Sequence, residues 1–109
     1  MENQVDIEKI KAIISETLKT EGIEPFQLYL FGSRARGNFT ADSDYDLMII
    51  SKQKIGIKDK MRLFTKLRKI LAKDRYNVDV VIKSTSEVDY YKNKIGHIVR
   101  NALSEGVLI

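Results

Sequence analysis

The chain contains no cysteine. That absence excludes a disulfide framework, a thiolate zinc site and a cysteine nucleophile. Histidine is nearly absent too: His97 stands alone, so a histidine-rich metal site or a His-based triad has no material to work with. There is one proline, Pro25. Long apolar runs are missing; the longest, such as Leu47 to Ile50, fall far short of the roughly 20 residues of a membrane-spanning helix. The start, Met1 to Asp6, is polar and acidic rather than basic and then apolar, so no secretory leader is expected. No repeat, linker or low-complexity tract interrupts the sequence. The expectation is a soluble cytoplasmic protein that touches no membrane. What is present suits one domain over 1–109: a 12.5 kDa chain, 43% hydrophobic, can bury a core without covalent staples. Nineteen Lys+Arg against fifteen Asp+Glu leave +4, enough to favour anionic ligands and too little to argue direct nucleic-acid binding.

Periodicity divides the chain into helices and strands. Residues of about 4–20 read as an amphipathic helix with Ile10, Ile13, Ile14, Thr17 and Leu18 on one stripe, ended by Gly22 and Pro25. Phe26 to Phe31 reads as a strand, followed by a short helix from Ser33 that Gly37-Asn38 breaks. Asp44 to Ser51 reads as a buried strand after a polar turn at Asp42-Ser43. A second long helix is expected from Ile57 to Ala72 with Ile57, Met61, Phe64, Leu67 and Leu71 inward, then a third strand over Asn77 to Lys83. Ser86 to Tyr91 begins a short helix, and Ile95 to Leu103 forms the last one, carrying Ile95, Ile98, Val99, Ala102 and Leu103 inward and capped by Gly106. The apolar tail Val107-Leu108-Ile109 either docks on the domain or meets a partner. The order implies an α/β fold with a small sheet, helices on one side of it.

Three features bear on chemistry. Gly32-Ser33 follows a strand directly, where glycine permits close backbone approach and a helix start offers unpaired N–H groups to an anion. Arg34 and Arg36 add charge beside it. Alone, this is also what a plain turn with a serine cap looks like. Asp44 and Asp46 are spaced by the strand period, which puts two carboxylates on one side of a strand. They repel unless a cation lies between them, and such oxygen ligands select Mg²⁺; alone, they also read as solvated acids at a strand end. Asp79 stands among β-branched residues, where a buried carboxylate needs a partner. It either shares a cation with Asp44 and Asp46, faces water from an edge strand, or pairs with a lysine. Together the three suit a phosphate-holding turn beside a metal-holding trio, the arrangement of a two-metal phosphoryl-group chemistry with ions about 3.5–4 Å apart.

The run Gly32-Ser33-Arg34-Ala35-Arg36-Gly37, then Ser43-Asp44-Tyr45-Asp46-Leu47, resembles the signature of the DNA polymerase β-type nucleotidyltransferase superfamily: Gly-Ser, Ala-x-Gly, a short spacer, then Ser-Asp-x-Asp-Leu. The resemblance covers residues of about 26–83 and is nearest to the minimal nucleotidyltransferases, which lack an added substrate domain. It implies a palm-like fold, a small mixed β-sheet covered by helices. It also implies that Gly32 and Ser33 hold the β- and γ-phosphates of ATP. Asp44 and Asp46 would ligate two Mg²⁺ ions, and Asp79 would be the third catalytic carboxylate, on the acceptor side. Arg34 and Arg36 fall where the motif varies, so their nucleotide-binding role is the looser part of the carry-over; Asp42 receives none.

Minimal nucleotidyltransferases of prokaryotes commonly pair with a helical HEPN protein in toxin–antitoxin systems. The resemblance therefore implies an antitoxin that transfers AMP from ATP to a tyrosine of a HEPN toxin. Two alternatives stand beside it: modification of a small molecule with a separate helical subunit, and a non-catalytic antitoxin that neutralises by binding. His97, Tyr90, Tyr91 and Tyr45 read as structural, with Tyr90-Tyr91 open to a partner surface, and the lysines of 52–60 and 66–73 read as a solvated face.

Overall fold

The computed structural model describes residues 2–23 and 26–109. Pro25, expected to help end the first helix, lies outside the described residues. The elements are α1 (Glu2–Thr20), β1 (Phe26–Phe31), α2 (Gly32–Arg36), β2 (Tyr45–Ser51), α3 (Ile57–Lys73), β3 (Val78–Ser84), α4 (Thr85–Tyr91), α5 (Ile98–Glu105) and β4 (Val107–Leu108). One sheet runs β3-β2-β1-β4. β1 pairs antiparallel with both β2 and β4, while β2 and β3 are parallel and joined through α3, as a parallel pair requires. The sheet is therefore mixed. The apolar tail docks as its fourth strand, with Ile109 N donating to Leu28 O at 2.9 Å, although the Val107 and Leu108 side chains stay half-exposed.

The sheet is covered on both faces, which corrects the expectation of helices on one side. Leu28, Leu30, Leu47, Ile49, Val80 and Ile82 pack with Ile10, Ile14, Leu18, Leu63, Leu67 and Leu71 of α1 and α3. Phe31, Met48 and Ile50 face the other way and pack with Val99 and Ala102 of α5, with Val88 and Tyr91 of α4 at the margin. The unbroken apolar run Leu47 to Ile50 is the physical reason: a strand apolar at consecutive positions is buried on both faces.

Two stripes also differ from expectation. On α3 the buried line is Leu63, Leu67 and Leu71, whereas Ile57 and Met61 are 77% and 65% exposed. The buried face is turned from the expected one: Leu63, fully buried two residues after Met61, lies nearly opposite it around the helix. α5 begins at Ile98 rather than Ile95, because the His97 ring accepts the Val99 N–H at 3.1 Å and caps the helix there. Ile95 is left exposed in the preceding turn. Gly106 closes α5, as expected, its N–H bonded to Ala102 O. Among the described residues no helix is long and apolar enough to cross a membrane.

Candidate active site

β1 delivers the chain into α2 with Gly32 at φ +71°, a conformation that residues bearing a Cβ rarely adopt. The space is as restrictive as the dihedral: a Cβ on Gly32 would run into the Asp46 carboxylate. Glycine is thus required twice, and its lack of a side chain is what lets the acid lie against the turn. Among the described residues no side chain caps α2: its N-cap is Phe31, and Ser33 sits inside the first turn. The alternative of a plain serine-capped turn does not describe this geometry.

The register supplies the rest. Phe31 is opposite Asp46 across the antiparallel pair, and Asp46 is opposite Asp79 across the parallel one. One row of the sheet therefore runs from the Gly32 turn through Asp46 to Asp79. Asp44 precedes β2 and is exposed, Asp46 is half-buried, and Asp79 is exposed. The reasoning that placed Asp79 here from burial is corrected. β3 is an edge strand, and Asp79 projects from it into solvent rather than among its β-branched neighbours. What brings it to Asp46 is pairing, not desolvation.

The carboxyl of Asp46 is held above its ordinary value, by burial first, then by the like charges of Asp79 and Asp44; Arg36 opposes and Glu105 adds to the rise. All three sequence-selected acids consequently share one electrostatic field. Among the described residues no three acidic or histidine side chains already converge at metal-binding distance. The donor set nevertheless fits a hard divalent cation: carboxylate oxygens only, mutually repelling, beside a turn cleared of side chain. Asp44 also borders a cavity of about 120 Å³ with Arg68, Tyr76 and Asn77.

The two arginines have separate fates. Arg34 is buried and turned toward the loop before β2: Nη2 donates to Ser43 O at 2.9 Å and to Ala41 O at 3.3 Å, and Nε to Ser43 O at 3.2 Å. Its guanidinium lies over the rings of Tyr45 and Phe39. These contacts engage its guanidinium within the fold, with the loop before β2 and two aromatic rings. Arg36 is half-exposed and forms an ion pair with Glu105 of α5 at 3.3 Å, while its field reaches Asp46. Sequence reasoning missed Glu105, and also Asp6 of α1, which accepts from the Tyr45 hydroxyl at 3.2 Å and the Tyr76 hydroxyl at 3.1 Å. No local pattern marks Asp6, since its partners lie 39 and 70 residues away.

Comparison with known proteins agrees with this geometry. A structure from Sulfolobus solfataricus assigned to the nucleotidyltransferases is 26% identical, with a TM-score of 0.63 over 98% of this chain and 82% of that one. A toxin–antitoxin complex solved with AMP-PNP aligns at 21% identity and TM-score 0.57, covering 89% of this chain and 69% of that one. A variant of the toxin–antitoxin complex MntA-HpeT aligns at 21% and 0.59, covering 91% and 70%. At that identity the two complexes speak for the fold alone. No curated protein matches the chain. The family model described as "Polymerase beta, Nucleotidyltransferase" matches residues 8–109, which takes in the Gly32 turn and all three acids, and the chain accordingly belongs to the polymerase β-type nucleotidyltransferases.

Proposed function

We propose that the protein transfers AMP from ATP to a tyrosine hydroxyl of a HEPN-type toxin and so serves as the antitoxin of the pair. The observation that carries the chemistry is the row from Gly32 through Asp46 to Asp79, an anion-accepting turn adjoining two register-paired carboxylates. The fold shared with chains of toxin–antitoxin complexes, one of them solved with AMP-PNP, supports the partner and the nucleotide. Work in the cytoplasm, where ATP is available, belongs to the same reading.

In this reading the backbone N–H groups at Gly32 and Ser33 receive the β- and γ-phosphates, the negative end of the substrate meeting the positive end of a helix. Asp44, Asp46 and Asp79 would hold Mg²⁺, which neutralises charge on the phosphates and acidifies the acceptor hydroxyl. The tyrosine oxygen bonds to the α-phosphorus, the bond from that phosphorus to the bridging oxygen breaks, and pyrophosphate leaves. The phenolic proton passes to solvent from the Asp79 side, where the edge strand is open. The half-buried Asp46 fixes the centre of the row, its carboxylate against Gly32 on one side and opposite Asp79 on the other. No covalent enzyme intermediate is involved, consistent with a chain that has no cysteine.

The test uses ATP labelled separately at the α- and γ-phosphates, with Mg²⁺ and the product of the neighbouring gene. Label on that protein from the α-phosphate only, lost in Asp44→Asn, is expected. Label from the γ-phosphate as well would replace nucleotidyl transfer with phosphoryl transfer. A stable complex without label would leave a binding antitoxin, and label on a small molecule instead would leave a small-molecule nucleotidyltransferase.

A further inference from the structure

Behind the acids, on the opposite face of β2, lies a cluster that the proposed chemistry does not use. Tyr45 stands between Asp44 and Asp46 and, by strand alternation, points away from Asp46 into the α1–α3 side, where it is 3% exposed. Four constraints meet on it. Its hydroxyl donates to Asp6. Its ring packs edge-on against Tyr76, with centroids 6.2 Å apart. The Arg34 guanidinium lies 4.1 Å from its ring centroid on the side of α2. Its backbone N–H donates to Asn77 O at 2.9 Å, just before β3 begins. Arg34 in turn holds the carbonyls of Ala41 and Ser43, the segment that leads into Asp44.

The arrangement ties together every element that contributes to the acidic row. Arg34 belongs to α2, the helix of the Gly32 turn; Tyr45 belongs to β2; Asn77 and Tyr76 precede β3 and Asp79. A strand slipped by one residue exchanges its two faces, and would bury Asp46 while exposing Tyr45. Fixing Tyr45 therefore fixes the face of Asp46, and the Arg34 bonds to Ala41 and Ser43 hold the segment that leads into Asp44. We infer that Arg34, Tyr45 and Asp6 form a clamp that sets the position of Asp44 and Asp46 for metal and nucleotide, so that these three are positioning residues of the active site. The inference rests on the nucleotidyltransferase reading for its effect on rate, but the clamp itself is a matter of local structure.

Charge chemistry makes the clamp specific. Arginine provides a planar fork for two carbonyls and a flat face for the ring; lysine can supply neither. Asp6 accepts from two tyrosines with two separate oxygens; an asparagine can accept from only one of them and must donate to the other, so both charge-assisted bonds are replaced by neutral ones and one is reversed. Tyr45→Phe keeps the ring and loses the hydroxyl alone.

The experiment compares Arg34→Lys, Tyr45→Phe and Asp6→Asn with wild type in three measurements: transfer kinetics, Mn²⁺ binding by the protein without nucleotide, and amide hydrogen exchange over residues 43–46. Misplacing reacting groups by a fraction of an ångström lowers rate more than binding. Arg34→Lys is expected to lower kcat roughly 30- to 100-fold with KM for ATP within about twofold, and the two milder variants to lower it roughly 3- to 10-fold. Half-saturating Mn²⁺ rises in the same order, and exchange of the 43–46 amides quickens in the same order. A role confined to general stability would lower Tm without moving Mn²⁺ affinity or local exchange, and that result overturns the inference. If wild type transfers AMP to no acceptor, the proposed function fails by itself; the clamp is then judged by exchange and Mn²⁺ binding, and wild-type values in Arg34→Lys overturn it.

Discussion

The parallel pair β2–β3 carries two polar rows, five residues apart, and they could hardly be treated more differently. At one end Asp46 faces Asp79; at the other Ser51 faces Ser84. The serine end is settled. Ser84 caps α4 by accepting the Glu87 N–H at 3.2 Å, and Glu87 accepts the Ser84 N–H at 3.0 Å in return. Lys60 reaches Glu87 at 2.7 Å, and Ser51 Oγ takes the Gln53 N–H at 3.1 Å. Burial pushes the Glu87 carboxyl up, but the Lys60 and Ser84 hydrogen bonds outweigh it and hold the group below its ordinary value. At the aspartate end burial and like charge act together and hold Asp46 above it. Opposite charges are matched where the sheet needs strength. Like charges are left together where a cation and a triphosphate would complete the balance.

Breaking the aspartate end is expected to have the largest effect. Asp46→Asn should lower AMP transfer about 1000-fold or more, read by α-phosphate label on the acceptor. The same variant should unfold at a higher temperature than wild type at pH 7 without divalent metal. The sign follows from the raised carboxyl: its favourable contribution to the fold is complete when it is protonated, below its unfolded value, and is lost as pH rises through the raised folded value. Thermal melts from pH 3 to 8 should therefore show wild type falling behind the variant as pH rises. Gly32→Ala comes next, with transfer down about 100-fold and stability down about 1–2 kcal/mol, since the alanine must both adopt a left-handed backbone and displace the Asp46 carboxylate. Circular-dichroism melts and labelled-ATP assays read the two losses.

Breaking the serine end should have the converse character. Glu87→Gln is expected to lower stability by about 1 kcal/mol at pH 7, through loss of the Lys60 pair, and to leave transfer within about twofold of wild type. Here the wild-type carboxyl is depressed, so its contribution is present above the unfolded value and lost as pH falls through the folded one; the two proteins should converge in acid. The smallest effect belongs to Arg36→Gln. Its pair with Glu105 is solvent-exposed on both sides, so stability should change by less than about 0.5 kcal/mol. The Asp46 carboxyl, losing an opposing cation, should titrate still higher, which carbon-detected NMR of the side chain would register.

Much of the aspartate end was legible in the sequence because it is local. Gly32-Ser33 after an aromatic strand is a short-range pattern that survives whatever the rest of the chain does, whereas Asp44, read as the first residue of the strand, precedes β2, so the strand period does not reach it. The partner of Asp46 was not readable in the same way. Asp79 was selected on the cost of burying a charge, yet it is exposed, and only the β2–β3 register joins it to the row. Asp6 and Glu105 escaped for a similar reason: each acts through contacts 39 or more residues away, and neither lies in a pattern. Ile57 and Met61 show a different failure, a helical period read in the sequence with its inward face set on the wrong side of the first turns, where Leu63 is the buried residue. His97 read as structural, and its ring nitrogen at the start of α5 gives that reading a definite form.

The crossover through α3 has a consequence for the order of events during synthesis. β1, the Gly32 turn and β2 can associate as an antiparallel neighbour pair soon after they leave the ribosome. Asp79 cannot join them until α3 has folded back along the sheet, because a parallel partner is reachable by no shorter route. The strand that completes the acidic row therefore arrives after the two strands it follows. A nascent chain halted within α3 would expose the Gly32 turn and Asp46 and lack Asp79, so the row from Gly32 to Asp79 forms only after the crossover has been made.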